Sequence, residues 1–323
     1  MTRSVRPENS TTVRAQKSRT FELPAVAKAA RLGLRVVAPH APGLASFVAE
    51  ELFLTARRHR RPEWEEGVLA NARHTRVRHE GSWLPVWTWG EPGSATILLV
   101  HGWEGRGSQL GAFVAPLVRA GFRVVAFDAP GHGDAPMRHA SAVEHARGIV
   151  SVAERFGPLH AVVGHSVGAA ASLLATRFGL EAEAFALLAP PVSPRRWADG
   201  FARIFDLSDG IKNGMLARVE RRYGMAVKDI DAVVDAGQVR RPMLVIHDAD
   251  DKVVPFRDGA SIAGAAPHAE LVETHGLGHA RILRAPEVVD LVTRFVTRTA
   301  PRVRPFVETL EGELFDRERR RAS

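Results

Sequence analysis

The chain of 323 residues contains no cysteine, which excludes disulfides, thiol nucleophiles and cysteine-ligated metals. No stretch offers the ~18 consecutive apolar residues that a membrane-spanning helix requires. The apolar core of a secretory signal is missing too, since Leu32 to Ala38 is short and broken by Gly33 and Arg35. The cytoplasm is therefore the expected compartment. Acidic residues are scarce at the start: residues 1–35 hold eight basic groups against Glu8 and Glu22, which accounts for six of the eight net positive charges. Charge confined to a terminal tail argues against a nucleic-acid-binding domain and leaves an anionic membrane surface as the partner such a tail would meet. No G-x-x-x-x-G-K-[ST] loop and no H-E-x-x-H helix occurs, and Gly102-Trp103-Glu104-Gly105-Arg106-Gly107 fails the dinucleotide spacing. No cofactor and no metal is expected on these grounds.

What is present describes a globular protein, with 45% hydrophobic and 25% charged residues. Residues 1–22 read as a flexible basic tail and 301–323 as a charged one. Residues 23–72 read as a helical segment interrupted at Pro39 and Pro42, with Arg57-Arg58-His59-Arg60-Arg61 as its solvated end. From Arg73 the period changes to two. Residues 73–79 and 83–89 alternate as an antiparallel pair around Glu80-Gly81-Ser82, with Trp83, Trp87 and Trp89 as packing residues.

Apolar runs then recur at Thr96–Val100, Phe122–Phe127, Ala161–Val163, Ala184–Leu188, Met243–Ile246 and Glu270–Glu273. Helical patterns separate them near 108–120, 141–156, 167–178, 257–264 and 286–298. Short continuous runs suit strands buried on both faces, so 73–300 is expected to be an α/β domain around a mostly parallel sheet. One connection, residues 191–238, is far longer than a usual loop plus helix. Trp197, Phe201, Ile204 and Phe205, then Leu216, Val219 and Tyr223, fall in it at helical spacing. It is expected to form a small helical cap.

The sharpest signal is Gly164-His165-Ser166-Val167-Gly168, placed between a strand and an Ala-rich helix. This G-x-S-x-G arrangement holds a serine on a strained turn at a helix N-terminus, where free N–H groups favour developing negative charge. A serine hydroxyl needs a base. His279, in Gly276-Leu277-Gly278-His279 after the last strand, is the candidate, with His275 and His268 as competitors. The base needs a carboxylate, and Asp248, Asp250 and Asp251 crowd the loop after the Met243–Ile246 strand. His247 and these acids are also potential metal ligands, but no second cluster completes such a site. An oxyanion would need two donors: the Val167 N–H and the Trp103 N–H are the candidates.

Taken in order, these motifs resemble the α/β-hydrolase superfamily over about residues 73–298. Asp128-Ala129-Pro130-Gly131-His132-Gly133 resembles its D-x-x-G-H-G loop, and His101-Gly102 its oxyanion loop. His247 to Pro255 resembles its H-G-x-x-D-x-x-V-P acid loop, with Asp248 in place of the usual glycine. The resemblance puts Asp251 at the acid position, with Asp250 beside it as the alternative. The N-terminal helices and the Trp103–Gly107 stretch are similar to a bacterial esterase/lipase-like subgroup. The resemblance implies an α/β-hydrolase fold and a serine hydrolase acting on a small-molecule ester or thioester through Ser166, His279 and Asp251. The alternatives are a non-catalytic ligand-binding protein of the same fold and a peripheral membrane lipase guided by the basic tail.

Overall fold

The computed structural model describes residues 3–4 and 25–300. The tails assigned to 1–22 and 301–323 lie outside the described residues, save for Arg3 and Ser4. The chain opens with β1 (Arg3–Ser4), then α1 (Ala25–Val37), α2 (Pro42–Phe53), α3 (Glu63–Ala70) and the hairpin β2 (Arg73–His79) and β3 (Ser82–Trp89). The alternating part follows as β4 (Thr96–Val100), α4 (Val114–Arg119), β5 (Arg123–Phe127), α5 (Ala142–Phe156), β6 (Leu159–His165), α6 (Val167–Thr176) and β7 (Ala182–Leu188). Next come α7 (Arg195–Phe205), α8 (Asp209–Tyr223) and α9 (Ala232–Gln238). The chain returns through β8 (Met243–Asp248), α10 (Phe256–Ala265), β9 (Ala269–Thr274), α11 (Gly278–Arg281) and α12 (Pro286–Thr299).

The strands form one sheet in the order β1-β9-β8-β7-β6-β4-β5-β3-β2. Only β2–β3 and β3–β5 pair antiparallel. Side chains along each inner strand alternate between two cores. Leu98, Val100, Val162 and Leu187 meet α5 and α6 on one face, while Ile97, Leu99, Val163 and Leu188 meet α4 and α12 on the other. This two-sided burial is why the runs are continuously apolar rather than alternating. Each fully buried leucine contributes about 1.5–3 kcal/mol relative to exposure.

Two features depart from the expected pattern. Residues 57–61 are not a helix end: α2 stops at Phe53, and the arginines lie on a non-helical strap. Arg58 donates to the carbonyls of Ala135 and Met137 at 2.7 and 2.9 Å, and Arg61 pairs with Asp128 and Asp134. These cations serve tertiary contacts instead of a helix dipole. The strap leads into α3, whose first turn carries Glu63, Glu65 and Glu66, the charge a helix N-terminus favours.

The insertion between β7 and β8 does not stand alone. Leu34 of α1, Ala45 and Ala49 of α2, Ala198 of α7 and Ile211 and Met215 of α8 share one small core. Phe201 packs edge-on against Phe53 at 5.3 Å, and buried Glu50 accepts from Arg218 and Arg222 at 2.6 and 2.7 Å. Helices α1 and α2 and the α7–α8 part of the insertion are thus one helical layer. It leaves the sheet at the carboxyl end of β7, the edge at which β6 ends in His165. No helix among the described residues is long and apolar enough to cross a membrane.

Candidate active site

Ser166 sits between β6 and α6 with φ +53° and ψ −127°, a backbone conformation that side chains other than glycine rarely adopt. Holding it costs of order 1–3 kcal/mol. Its own N–H donates to Leu188 O at 2.8 Å, which ties the turn to β7. The turn packs tightly against the loop after β4. A Cβ on Gly168 would lie 2.1 Å from His101 O, and one on Gly102 would lie 3.0 Å from the Ser166 Cβ. Only glycine permits this approach, and it brings the 101–103 backbone over the serine.

His279 is carried at the start of the short α11. Its Nε2 is 3.0 Å from Ser166 Oγ, and its Nδ1 is 2.7 Å from Asp251 Oδ2. Burial alone would raise the Asp251 carboxyl. Hydrogen bonds from His247, His279 and the Val253 amide outweigh it and hold the group well below the usual carboxylate range. An ionised Asp251 accepts a hydrogen bond from the Nδ1–H of His279, leaving Nε2 as an acceptor for the Ser166 hydroxyl.

The neighbouring acids do other work. Asp250 accepts from the Gly276 N–H at 3.0 Å. Asp248 accepts from Thr274 Oγ1 at 2.9 Å and from the Leu277 and Asp250 amides at 3.0 Å each. Both therefore brace the loop that presents His279. His247 is buried and donates toward Val254 O at 3.0 Å, so the His247–Asp251 loop is committed internally. His275 faces outward and pairs with Glu273 at 3.5 Å, while His268 supplies its carbonyl to Met243 N at 3.0 Å. Neither competitor reaches Ser166 in place of His279.

The amides of Trp103 and Val167 have no acceptor among the described residues. Trp103 follows Gly102 on the loop after β4, and Val167 follows Ser166 at the start of α6. His101 is neutral, since burial first and the nearby His132 next push its imidazole well below the ordinary value. Its Nε2 accepts the Ala129 amide at 3.0 Å, so its Nδ1 carries the proton given to Gly102 O at 2.7 Å. This fixes the carbonyl of Gly102 and with it the direction of the Trp103 amide.

Several residues that position the site carry no motif. Arg106 makes a bidentate pair with buried Glu65 of α3, both contacts at 2.6 Å, and Ser108 donates to the same carboxylate. Glu104 meets the Arg57 amide and His59, each at 3.3 Å. Asp128 accepts from the Gly107 and Asp134 amides at 2.7 and 2.6 Å and from Arg61 at 3.1 Å. Residues 57–65 thus strap the 101–108 loop in place. His165 is the other addition: its Nε2 donates to His279 O at 3.0 Å, and its ring lies 4.7 Å from the His279 ring. The acidic cluster after Pro62 was the one sequence signal available for Glu65; its partner lies 41 positions away. Replacing Glu65 by alanine leaves Arg106 largely buried without its carboxylate. It is expected to cost about 3 kcal/mol, read as a lower urea midpoint, and to lower kcat more than it raises KM.

Among the described residues one group has metal-compatible spacing, His79, Glu80 and Glu144, with donor atoms within 4.8 Å. Arg147 pairs with both carboxylates, at 3.6 and 3.2 Å.

Comparison with known proteins gives a consistent picture. Residues 97–291 match the model of the alpha/beta hydrolase family. No curated protein sequence matches the chain. Among solved structures, an esterase from a Rhodococcus species superposes with a TM-score of 0.54 at 17% identity, covering 71% of this chain and 100% of its own. The monoacylglycerol lipase of Paleococcus ferrophilus gives 0.54 at 24% identity, with 67% and 99% covered. A thioesterase domain from the curacin biosynthetic pathway gives 0.52 at 16% identity, with 70% and 98% covered. At these identities the likeness is one of fold.

Proposed function

The chain belongs to the alpha/beta hydrolase family, and from that membership we propose that it is a serine hydrolase cleaving a carboxylic ester or thioester through an acyl-serine intermediate. The observation that carries this reading is the continuous chain Asp251–His279–Ser166, joined at 2.7 and 3.0 Å and ending on a strained serine at a helix N-terminus. Ser166 Oγ attacks the carbonyl carbon while His279 Nε2 takes its proton, and Asp251 stabilises the imidazolium. The carbonyl oxygen becomes an oxyanion held by the amides of Trp103 and Val167. Collapse of the tetrahedral species breaks the bond to the alcohol or thiol, which leaves with the proton from His279. Water, deprotonated by His279, then attacks the acyl-serine. The carboxylic acid departs and Ser166 regains its proton. This chemistry needs no metal or cofactor.

We assign the catalytic domain to residues 73–300 with the cap at 191–238, the helical segment 23–72 supporting both, and place the protein in the cytoplasm. A series of p-nitrophenyl esters and one acyl thioester, from acetyl to decanoyl, tests the reading. Saturable turnover well above the buffer rate for some chain length is expected. Folded protein that turns over none of them would move a ligand-binding role ahead of hydrolysis.

A further inference from the structure

Helix α1 is apolar around most of its circumference, and a helix of that kind normally has its apolar surface covered. At about 100° per residue, Ala27 and Leu34 turn inward onto the helical layer, where both are buried. Ala25, Ala29, Leu32 and Val36 turn the opposite way. Val26, Leu32 and Val36 are 81%, 64% and 62% exposed. Lys28, Arg31 and Arg35 line one edge of this face. The helices packed beside α1 also expose apolar residues, Leu44 and Phe47 on α2 and Trp197 and Ile204 on α7.

We propose that the outer face of α1, flanked by the exposed apolar residues of α2 and α7, docks on an anionic lipid surface. The apolar stripe would enter the boundary between headgroups and acyl chains, with the basic edge at the lipid phosphates. Charge is the argument for this occupant. Residues 1–35 carry six of the eight net positive charges of the chain, and they run directly into this helix. Asp206 sits 3.6 Å from both Arg31 and Arg35, whose side chains stay 38% and 62% exposed, and with Lys28 the cations of α1 outnumber this acid. Arg195, Arg196 and Arg203 of α7 and Lys212 of α8 stand with Asp199, Asp206 and Asp209. An open cleft of about 660 Å³ beside α1 is lined by Leu34, Arg35 and Asp206, and one of about 640 Å³ between α7 and α8 carries Arg196, Arg203 and Lys212 together with Asp199, Asp206 and Asp209. A second copy is disfavoured as the occupant, because pairing this face with itself would bring two such cationic segments together.

The test is co-sedimentation of the full chain with phosphatidylcholine vesicles containing an equal share of phosphatidylglycerol, against phosphatidylcholine alone. Because binding is read without turnover, the result is independent of the ester reading. Wild type is expected to partition at least tenfold more strongly onto the anionic vesicles and to lose that preference in high salt. Leu32→Glu/Val36→Glu is expected to lower partitioning at least tenfold, while its far-UV circular dichroism stays that of wild type. Val26→Ser/Leu32→Ser provides a milder change with the same expected direction. The proposal is overturned if wild type shows no preference for anionic vesicles, or if both variants bind as wild type does. It is also overturned if light scattering shows a dimer that Leu32→Glu/Val36→Glu dissociates, which would assign the face to a second copy.

Discussion

Replacing Ser166 by alanine is expected to lower kcat for an activated ester by about 10⁶-fold, with KM little changed. His279→Ala should lose as much, and the double variant no more than either alone. The reasoning is that the two groups act as a unit: without the base the hydroxyl stays protonated, and without the hydroxyl the base has nothing to activate. What survives is the modest catalysis of the oxyanion donors and binding. Asp251→Asn keeps a side chain beside His279 Nδ1 but disturbs the tautomer, and about 10⁴-fold is expected to go. Asp250→Asn is the informative contrast. Asp250 braces Gly276 and does not touch His279, so its loss should cost less than tenfold. Ser166→Gly adds a stability readout: glycine adopts the +53° φ without strain. This variant is expected to be inactive and about 1 kcal/mol more stable than Ser166→Ala. Multiplicative losses in the double variant would contradict the account.

The second large effect is loss of stability in acid. His101, His132, His145 and His165 are all buried. Burial is the leading cause that lowers each imidazole, to about 4 for His132 and about 3 for His165, and well below the ordinary value for His101 and His145. The unfolded chain therefore binds protons that the folded chain refuses. Stability from these groups is fully present above about pH 6.5 and is lost as pH falls toward the folded values, at about 1.4 kcal/mol per pH unit for each histidine. Asp251 works in the same direction lower down. Asp128 opposes it, since burial raises its carboxyl to about 6 against its amide and Arg61 contacts, so its contribution is lost as pH rises toward that value. Burial also raises the carboxyl of Asp235 against its Arg177 contact, and two opposing groups do not offset four. Urea midpoints should fall steeply between pH 7.5 and 5.0. Both ring nitrogens of His145 lack a partner among the described residues, so His145→Leu should shrink that fall. Equal midpoints at the two pH values would count against neutral buried histidines.

The parts of the fold that follow from local periodicity were legible. Thr96–Val100 forms a strand with the expected ends, because all five of its residues, four of them apolar, are buried. β6 is longer than the Ala161–Val163 run at both ends. His160 hid the start: it reads as polar, but it stacks on Phe122 at 5.3 Å and reaches Val296 O at 2.7 Å. The strap at 57–61 was misread because its arginines find their partners some 70 positions away, and no window of sequence contains both. The cap was read as residues 191–238 alone for the same reason, since Ala198, Ile211 and Met215 complete their core with α1 and α2. At the site, the turn glycines and the order of serine, acid and histidine were visible in one dimension. The resemblance pointed to Asp251 with Asp250 as the alternative, and what Asp248 and Asp250 do instead was visible only in space, where both are taken up by the loop itself.

The central claim is that Ser166 is an activated nucleophile, and intact-mass labelling with a fluorophosphonate tests it most directly. Wild type is expected to gain the mass of one adduct, and Ser166→Ala and His279→Ala to gain none under the same conditions. Folded wild type that stays unlabelled, or a Ser166→Ala variant that labels as well as wild type, would contradict the account.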